Sequence, residues 1–379
     1  MAIAALVVSS SACQGGWTEI ISSGLHTWGS ADLRYYGVTD SANGHSYFAE
    51  GFENDADEGM YRTDGATATQ ITSFTPSDDT RIHGWTIAND HLVAGFHNVT
   101  INHNGHYTSS LPVDPTTPTW NKVLTNTSAN SSGGDAVDAP DLPSGGTAMT
   151  TISTSSPTLL LLNQDDVDTL PTNGSTGVDT PSDADSHRWF SLCRVDDDYV
   201  GGYLYKTDTV THFYGMDPSA WTTFAYGVTW THGAGANLKG TGCLGWDAKD
   251  LLIQVLTVAA TPKSRIAVLD SSGNFDIQQA EDEDLRPGVI WDNGDGELAY
   301  IIDSDTGELW TSNGVDDFAV VSNSATDSGV EHDALVLCPH RTDAICALGS
   351  NGSLWMWAMS SVLRYPDTSI WSSIKSSVR

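Results

Sequence analysis

The chain has 379 residues and a formal net charge of −32, from 48 acidic and 16 basic residues. A chain this acidic repels nucleic acid and anionic membrane surfaces, so we expect no nucleic-acid partner. No apolar run approaches the about 20 residues of a membrane-spanning helix, so we also expect no membrane insertion.

Aspartate dominates the acidic residues, with 39 Asp and 9 Glu against only 6 Lys. This composition favours a protein adapted to molar salt, because high ionic strength screens the self-repulsion of an acidic surface. An acidic surface protein from an ordinary habitat is the alternative.

The N-terminal residues 1–13 imitate a leader peptide, but they have no basic n-region and only a short apolar run. We therefore recognise no cleavable signal peptide and predict an N-terminal arm over residues 1–30. Within this arm, residues 17–21 have the pattern of an outer strand that has no blade of its own, so we expect them to help close a ring.

A repeated unit then occupies residues 31–368: an apolar run, a tight polar turn, a second apolar run, a Gly-centred turn and an aromatic-rich run. Most units follow one another at about 40–50 residues, which is typical of four-stranded blades that close into a β-propeller. The sequence thus predicts an all-β fold, a single propeller, with seven blades as the favoured number and six or eight as alternatives. The second strands begin at Tyr47, Leu92, Leu159, Tyr199, Leu251, Leu298 and Ile345.

One step of this repeat, from Leu92 to Leu159, is longer than the others. It contains residues 125–147, rich in Ser, Gly, Asn, Asp and Pro, which we interpret as an inserted loop of the third unit. The first strand of that unit is then predicted to begin at Thr147.

The C-terminal end supplies the other part of the predicted closure. Residues 362–365 read as the fourth strand of the last blade, and residues 369–379 as a closing segment. Pairing of N- and C-terminal segments in one blade removes two exposed sheet edges.

The turn and strand over residues 303–310 resemble the Asp-box of sialidase-like propellers, S-x-D-x-G-x-x-W, with Asp303 at the position of the serine. Residues 350–355 are a looser copy, which is also similar to repeats of the chromosome-condensation-regulator type. The resemblance implies propeller turns, and it implies no catalytic residue, because Asp-boxes shape a hairpin away from any active site.

Two acidic turns carry several hard oxygen atoms close together, which suits Ca²⁺ or another hard cation. Asx-turns that hold a hairpin are the alternative interpretation, because an Asp side chain also accepts hydrogen bonds from its own turn. The candidate ligands are Asp292, Asp295, Glu297, Asp303 and Asp305.

Four arginines near first strands are candidates for an anion site at the mouth of a central channel, with structural ion pairs to Asp as the alternative: Arg81, Arg188, Arg194 and Arg341. Four tryptophans nearer loops are candidates for exposed contacts with sugar rings or a protein, with core packing as the alternative. They are Trp28, Trp120, Trp221 and Trp230.

The five cysteines have uneven spacing and no CxxC motif, which argues against a zinc site or a disulfide framework. Since four lie in apolar runs, we predict small buried hydrophobic residues. A Cys338–Cys346 bridge is the alternative for one pair.

The predicted function is a non-catalytic interaction or attachment module. We expect a structural component of the surface of a virus particle from a high-salt environment: a capsid decoration, spike or tail-associated protein. Its expected partners are other virion proteins, or a glycan or protein of the host surface, and it would act within an oligomeric assembly. The alternatives are a propeller hydrolase or lyase acting on polysaccharide, and an intracellular scaffold.

Overall fold

The fold consists almost entirely of strands, as the hydrophobic pattern predicts. A computed structural model describes residues 16–22, 34–51, 60–71, 80–88, 90–98, 105–125, 137–138, 146–151, 158–163, 178–179, 187–195, 198–205, 210–217, 222–231, 238–258, 261–292, 296–321, 332–339, 341, 343–349 and 353–358. These residues form seven four-stranded antiparallel sheets, here called blades 1 to 7 in chain order.

Blades 1 to 3 come from the first half of the chain. Blade 1 contains β2 (Arg34–Asp40), β3 (His45–Gly51), β4 (Met60–Thr63) and β5 (Ala68–Gln70). Blade 2 contains β6 (Thr80–Ala88), β7 (His91–Asn98), β8 (Gly105–Ser110) and β9 (Asn121–Thr125). Blade 3 contains β10 (Val137–Asp138), β11 (Gly146–Thr151), β12 (Thr158–Asn163) and β13 (Val178–Asp179).

Blades 4 to 6 follow the same order. Blade 4 contains β14 (His187–Val195), β15 (Asp198–Tyr205), β16 (Val210–Asp217) and β17 (Thr222–Thr231). Blade 5 contains β18 (Leu238–Trp246), a short 3₁₀ helix (Asp247–Lys249), β19 (Leu251–Val258), β20 (Ser264–Asp270) and β21 (Phe275–Glu281). Blade 6 contains β22 (Leu285–Asp292), β23 (Glu297–Asp303), β24 (Leu309–Ser312) and β25 (Ala319–Val320).

Blade 7 combines strands from both ends of the described chain: β26 (His332–Leu337), β27 (Ala344–Gly349), β28 (Leu354–Ala358) and the N-terminal β1 (Gly16–Ile21). Strand β1 pairs antiparallel with β28, so the predicted closure by an orphan N-terminal strand is confirmed. It occupies the fourth position, which the sequence had assigned to residues 362–365. Those residues and the predicted closing segment 369–379 lie outside the described residues.

The first strands contact one another in the cyclic order β2, β6, β10, β14, β18, β22, β26 and back to β2. This order confirms an all-β propeller. None of the described residues belongs to a helix long and apolar enough to cross a membrane.

In the third blade, the predicted assignment of strands to positions was wrong by one strand. The strands predicted as its first and second are its second and third, β11 and β12, and the first strand is β10. Strand β10 lies inside the predicted insertion 125–147. Because β10 has only two residues, it carries no alternation of apolar and polar residues that would mark it in the sequence.

The core lies between neighbouring blades, where the sheets pack face to face. Trp246 and Val255 of blade 5 share one buried cluster with Ile301 of blade 6. Phe48 of blade 1 shares another with Val336 of blade 7, so apolar burial continues across the closure. A Cβ added to Gly37 in β2 would overlap Cγ1 of Val336. Glycine at this position therefore lets β2 and β26 approach each other.

Two disulfides overturn the prediction that the cysteines are unpaired. Cys193 in β14 is bonded to Cys243 in β18, which joins the first strands of blades 4 and 5. Cys338 is bonded to Cys346 across the first hairpin of blade 7, as the alternative proposed. The sequence could not reveal the first pair, because only the packing of two blades brings together cysteines separated by 50 residues.

Candidate functional site

The antiparallel strands divide the connections into two groups. Connections after the first and third strands leave from one face of the ring, and connections after the second and fourth strands leave from the other. We call the first the Asx face, because a side-chain oxygen of Asp or Asn accepts a backbone N–H two to four residues later at six of its turns. These residues are Asp40, Asp64, Asp114, Asp270, Asp292 and Asn313.

The first predicted cation site lies on the Asx face, at the turn between β22 and β23. Oδ1 of Asp292 accepts the N–H of Gly296 at 3.2 Å. Oε2 of Glu297 accepts the indole N–H of Trp246, in blade 5, at 2.8 Å. Both carboxylates thus have partners within the protein, and Asp295 lies outside the described residues.

The second predicted cation site lies on the opposite face, at the Asp-box-like turn. Asp303 is only 1% exposed, and it accepts hydrogen bonds from the N–H of Asp305 at 3.1 Å and from the Thr306 hydroxyl. Burial raises the pKa of Asp303 above its ordinary value. Asp305 forms an ion pair with Lys263 of blade 5.

These contacts support the Asx-turn interpretation of both sites. In the described part of the chain, no group of three or more His, Cys, Asp or Glu residues is arranged to hold a metal ion. A cation at the 292–297 turn stays a prediction, since the middle of that turn lies outside the described residues.

The Asp-box-like turn joins three blades rather than one hairpin. The N–H of Ser304 donates to the carbonyl of Asp284, in the loop between blades 5 and 6, at 2.8 Å. The indole N–H of Trp17, in the closing strand β1, donates to the carbonyl of Gly307 at 3.1 Å. With the Lys263–Asp305 pair, these bonds link blades 5, 6 and 7 at one point.

The candidate arginines divide between described and undescribed side chains. Arg81 lies in β6, and Arg188 and Arg194 lie in β14, all on first strands of the ring. The structure does not describe the side chains of these three arginines, so an anion site stays a prediction. Arg341 forms a two-pronged contact with Asp343, at 2.8 and 2.7 Å, which raises the pKa of the guanidinium. For Arg341 the structural ion pair that was the alternative is observed.

The two candidate tryptophans whose side chains the structure describes, Trp230 and Trp120, are not exposed. Trp230 is only 3% exposed and packs with Cys193 and Phe213, so its prediction as an exposed contact was wrong. Trp120 is half-buried against the cluster of Tyr47 and neighbouring residues. Trp230 lies within β17 and is packed between blades 4 and 5, whereas Trp120 lies in the loop after β8, which folds back over blade 1. Trp28 and Trp221 lie outside the described residues.

The loop after β8 shows this folding back. Its Val113 N–H donates to the hydroxyl of Tyr47 in blade 1 at 3.1 Å, and its carbonyl accepts a hydrogen bond from Arg62 at 2.7 Å. Burial raises the pKa of Tyr47 to about 12. Blade 2 thereby presents a loop fixed on blade 1.

Two other turns of the Asx face are built alike, a match that the sequence analysis missed. In blade 1, the Thr63 hydroxyl donates to the carbonyl of Thr67 and accepts the N–H of Gly65, while Asp64 accepts the N–H groups of Ala66 and Thr67. We call this the blade 1 turn, residues 63–67. Gly65 has a φ of +83°, which glycine adopts without strain.

The blade 6 turn, residues 312–316, repeats every one of these bonds. The Ser312 hydroxyl donates to the carbonyl of Asp316 and accepts the N–H of Gly314, while Asn313 accepts the N–H groups of Val315 and Asp316. Gly314 has a φ of +86°. A hydroxyl residue, an Asp or Asn and a Gly in succession are the sequence signal for this turn.

Blade 5 holds the blade 6 turn in place. Nζ of Lys249 donates to the carbonyl of Asn313 at 2.5 Å, and the ammonium lies 4.0 Å from the centre of the Trp246 ring. The Gln279 amide donates to the Phe318 carbonyl and accepts the Phe318 N–H, both at 2.8 Å. Blade 5 thus holds the chain on both sides of the tip, and Val315 at the tip is 74% exposed.

The Asx face therefore combines fixed backbone with displayed tips. Its side-chain oxygens are engaged by their own turns, so the turns need no partner to become ordered. Such preorganised surfaces bind without a large ordering cost. The arrangement suits recognition of another molecule.

No protein-family model matches the chain, and no curated protein matches it. Among solved structures, the Myceliophteria thermophila Cps50 (Swd1) β-propeller domain is similar at 11% identity and a TM-score of 0.53, over 90% of this chain and 99% of that chain. BBS1N, solved in complex with ARL6DN, is similar at 11% identity and a TM-score of 0.52, over 92% and 98%. A chain of the COPII outer coat vertex on membranes is similar at 8% identity and a TM-score of 0.53, over 89% and 86%. At these identities the similarity shows the fold alone.

Proposed function

We propose that this chain is a non-catalytic interaction module that presents the Asx face to a protein partner. The observation that carries the proposal is the rigid, self-satisfied set of turns on that face, which displays exposed tips on a closed ring. Propellers similar in fold were solved within assemblies, with ARL6DN in one case and in the COPII coat in another, which agrees with this role.

The cysteines and the net charge bear on the compartment in which the module acts. Two disulfides favour an oxidising compartment, because reducing cytosol keeps most thiols free. The net charge of −32 favours a high-salt environment. We therefore propose that the module acts outside the cell, on the surface of a virus particle from such an environment, where it contacts other particle proteins or the host surface.

The interaction role is tested against catalysis on the same protein. The purified chain would be incubated with a panel of polysaccharides, and chain length would be followed by size-exclusion chromatography. We expect no turnover. Turnover that is lost in Asp303→Asn or in Glu297→Gln, with the unfolding free energy of the variant unchanged, would replace the proposal with a polysaccharide-acting enzyme.

The location is tested separately. Particles purified from high-salt water that contain this sequence would be analysed by quantitative proteomics and electron microscopy with a specific antibody. Many regularly placed copies on the particle surface are expected. Recovery of the chain from cytosol alone would refute the particle role and leave the interaction role standing.

A further inference from the structure

Large apolar side chains are exposed at one place in the described structure. Val315 is 74% exposed and Val320 is 39% exposed, and they are the exposed large hydrophobic residues among those whose side chains the structure describes. Both belong to the outer hairpin of blade 6, residues 309–320, which we call the blade 6 hairpin. Single exposed apolar residues are common on protein surfaces. Here both exposed valines lie on one hairpin, Val315 at its tip and Val320 in β25, and we call the two together the patch.

The rigidity of the hairpin distinguishes this patch from a loose loop. The tip residue Val315 is held by the bond from its own N–H to Asn313 at 2.9 Å. The bonds from Lys249 to Asn313 and from Gln279 to Phe318 hold the chain on either side of Val315 against blade 5. A valine fixed in water gains nothing for the isolated fold, whereas its burial by a partner is favourable.

The matched turn in blade 1 shows that the fold does not require a valine at the tip. The same backbone and the same hydrogen bonds are formed there with Ala66 in the position of Val315. The larger side chain is thus specific to blade 6, while the turn geometry is common to both.

The charge around the patch indicates the partner. Asp316 and Asp317 follow Val315 and are exposed, and the exposed Asp276 lies on β21, the outer strand of the neighbouring blade. We propose that the blade 6 hairpin is the docking surface for a protein segment in which aliphatic side chains alternate with Lys or Arg. This inference rests on the proposed interaction function and names its surface and the chemistry of its partner.

A second copy of this chain is a poorer fit than a basic segment. Each copy carries a net charge of −32, so at low salt two copies that meet at an acidic hairpin repel each other. A basic segment is attracted to the same carboxylates, and its aliphatic side chains cover Val315 and Val320.

The test uses the full chain and a synthetic ten-residue peptide of alternating Lys and Val, labelled for fluorescence anisotropy. A Glu–Val peptide and a Lys–Ser peptide are the controls for charge and for apolar contact. We expect binding of the Lys–Val peptide only. Hydrogen exchange should show protection in residues 309–320 and none in the blade 1 turn.

The protein variants locate the surface. Val315→Ser combined with Val320→Ser should weaken Lys–Val binding by about tenfold, because the apolar contacts are lost. Asp317→Asn should weaken it about two- to threefold at low salt and not in molar salt, where the charge is screened. Ala66→Ser, at the matched tip in blade 1, should leave binding unchanged.

The outcomes separate this inference from the function on which it rests. Binding that persists in the double valine variant, or protection at another surface, refutes the hairpin as the site and leaves an interaction module. Val315-dependent dimers in analytical ultracentrifugation refute the basic partner in favour of a second copy. Absence of Lys–Val binding refutes the inferred partner chemistry, while the particle location is decided by its own experiment.

Discussion

The blade 1 turn and the blade 6 turn share four matching hydrogen bonds and a glycine with positive φ, yet they face different surroundings. Asp64 carries a charge in the first, and Asn313 is neutral in the second. The tip is Ala66 in one and the exposed Val315 in the other. The turn thus tolerates a change of charge and a change of tip, provided that the hydroxyl, the side-chain acceptor and the glycine remain.

The largest expected difference between the two turns concerns their glycines. Gly314→Ala forces a side chain into a left-handed conformation and places its Cβ 2.6 Å from Leu251 Cδ1, so we expect a loss of about 2–3 kcal/mol in unfolding free energy. Gly65→Ala carries the conformational cost, about 1 kcal/mol. Denaturant unfolding at fixed salt measures both.

A double-mutant cycle isolates the steric part. Leu251→Ala in the Gly314→Ala background should relieve the clash, with a coupling of about 1 kcal/mol. Equal losses for Gly65→Ala and Gly314→Ala, with no coupling to Leu251, would contradict the close contact between blades 5 and 6.

The hydroxyl groups should instead behave alike. Thr63 and Ser312 are buried, and each both donates and accepts a bond in its turn. Thr63→Val and Ser312→Ala should each cost about 1–2 kcal/mol in unfolding free energy, because buried backbone groups lose their partners. Calorimetry of both variants checks this, and a negligible loss in either would show that its turn is held by other contacts.

The side-chain acceptors, Asp64 in blade 1 and Asn313 in blade 6, should give the two turns a different dependence of stability on pH. Burial opposes ionisation of Asp64, but the N–H groups of Thr67 and Ala66 and the Thr67 hydroxyl outweigh it and lower the pKa of Asp64. A lowered pKa stabilises the fold above the unfolded-state value of about 4, and this stabilisation is lost as pH falls. Asp64→Asn should therefore flatten the decline of stability below about pH 4.

Asn313→Asp is the matched variant for this pH effect. It should add an acid-sensitive contribution to blade 6, reduced by the neighbouring Asp316. Unfolding midpoints between about pH 3 and pH 6 measure both variants. Unchanged pH profiles would show that neither carboxylate is stabilised by its turn.

The tips should have the smallest effect on stability. Val315→Ser and Ala66→Ser should each change the unfolding free energy by no more than about 0.5 kcal/mol, since exposed positions contribute little to the core. Thermal unfolding checks this. A large loss for Val315→Ser would show that the valine supports the fold and would weaken the case for a docking role.

The repeat in the sequence was sufficient to predict the propeller, because each blade carries strand-length apolar runs between strong turn residues. It also located the N-terminal strand that closes blade 7. It misassigned blade 3, where β10 is too short to produce a pattern. The bond between Cys193 and Cys243 depends on contact between blades, which no local pattern encodes.

The site was predicted less well for a related reason. The sequence marked Asp292 and Asp303 as candidate cation ligands, and it did not reveal that each accepts hydrogen bonds from its own turn. The signal that mattered was a hydroxyl residue followed by Asp or Asn and Gly, together with an unusual residue at the tip. Exposure of Val315 could not be read from the sequence, because an isolated valine near a turn usually continues a strand.

The closure of blade 7 depends on the order in which its strands are synthesised. Strand β1 leaves the ribosome early, whereas its partner β28 is among the last described strands to be synthesised. Until β28 arrives, Ile21 lacks the buried cluster that it finally shares with Leu354. A nascent chain that stops before Leu354 therefore leaves β1 unpaired and blade 7 with only β26 and β27, and full resistance to proteases should appear only after β28 is made.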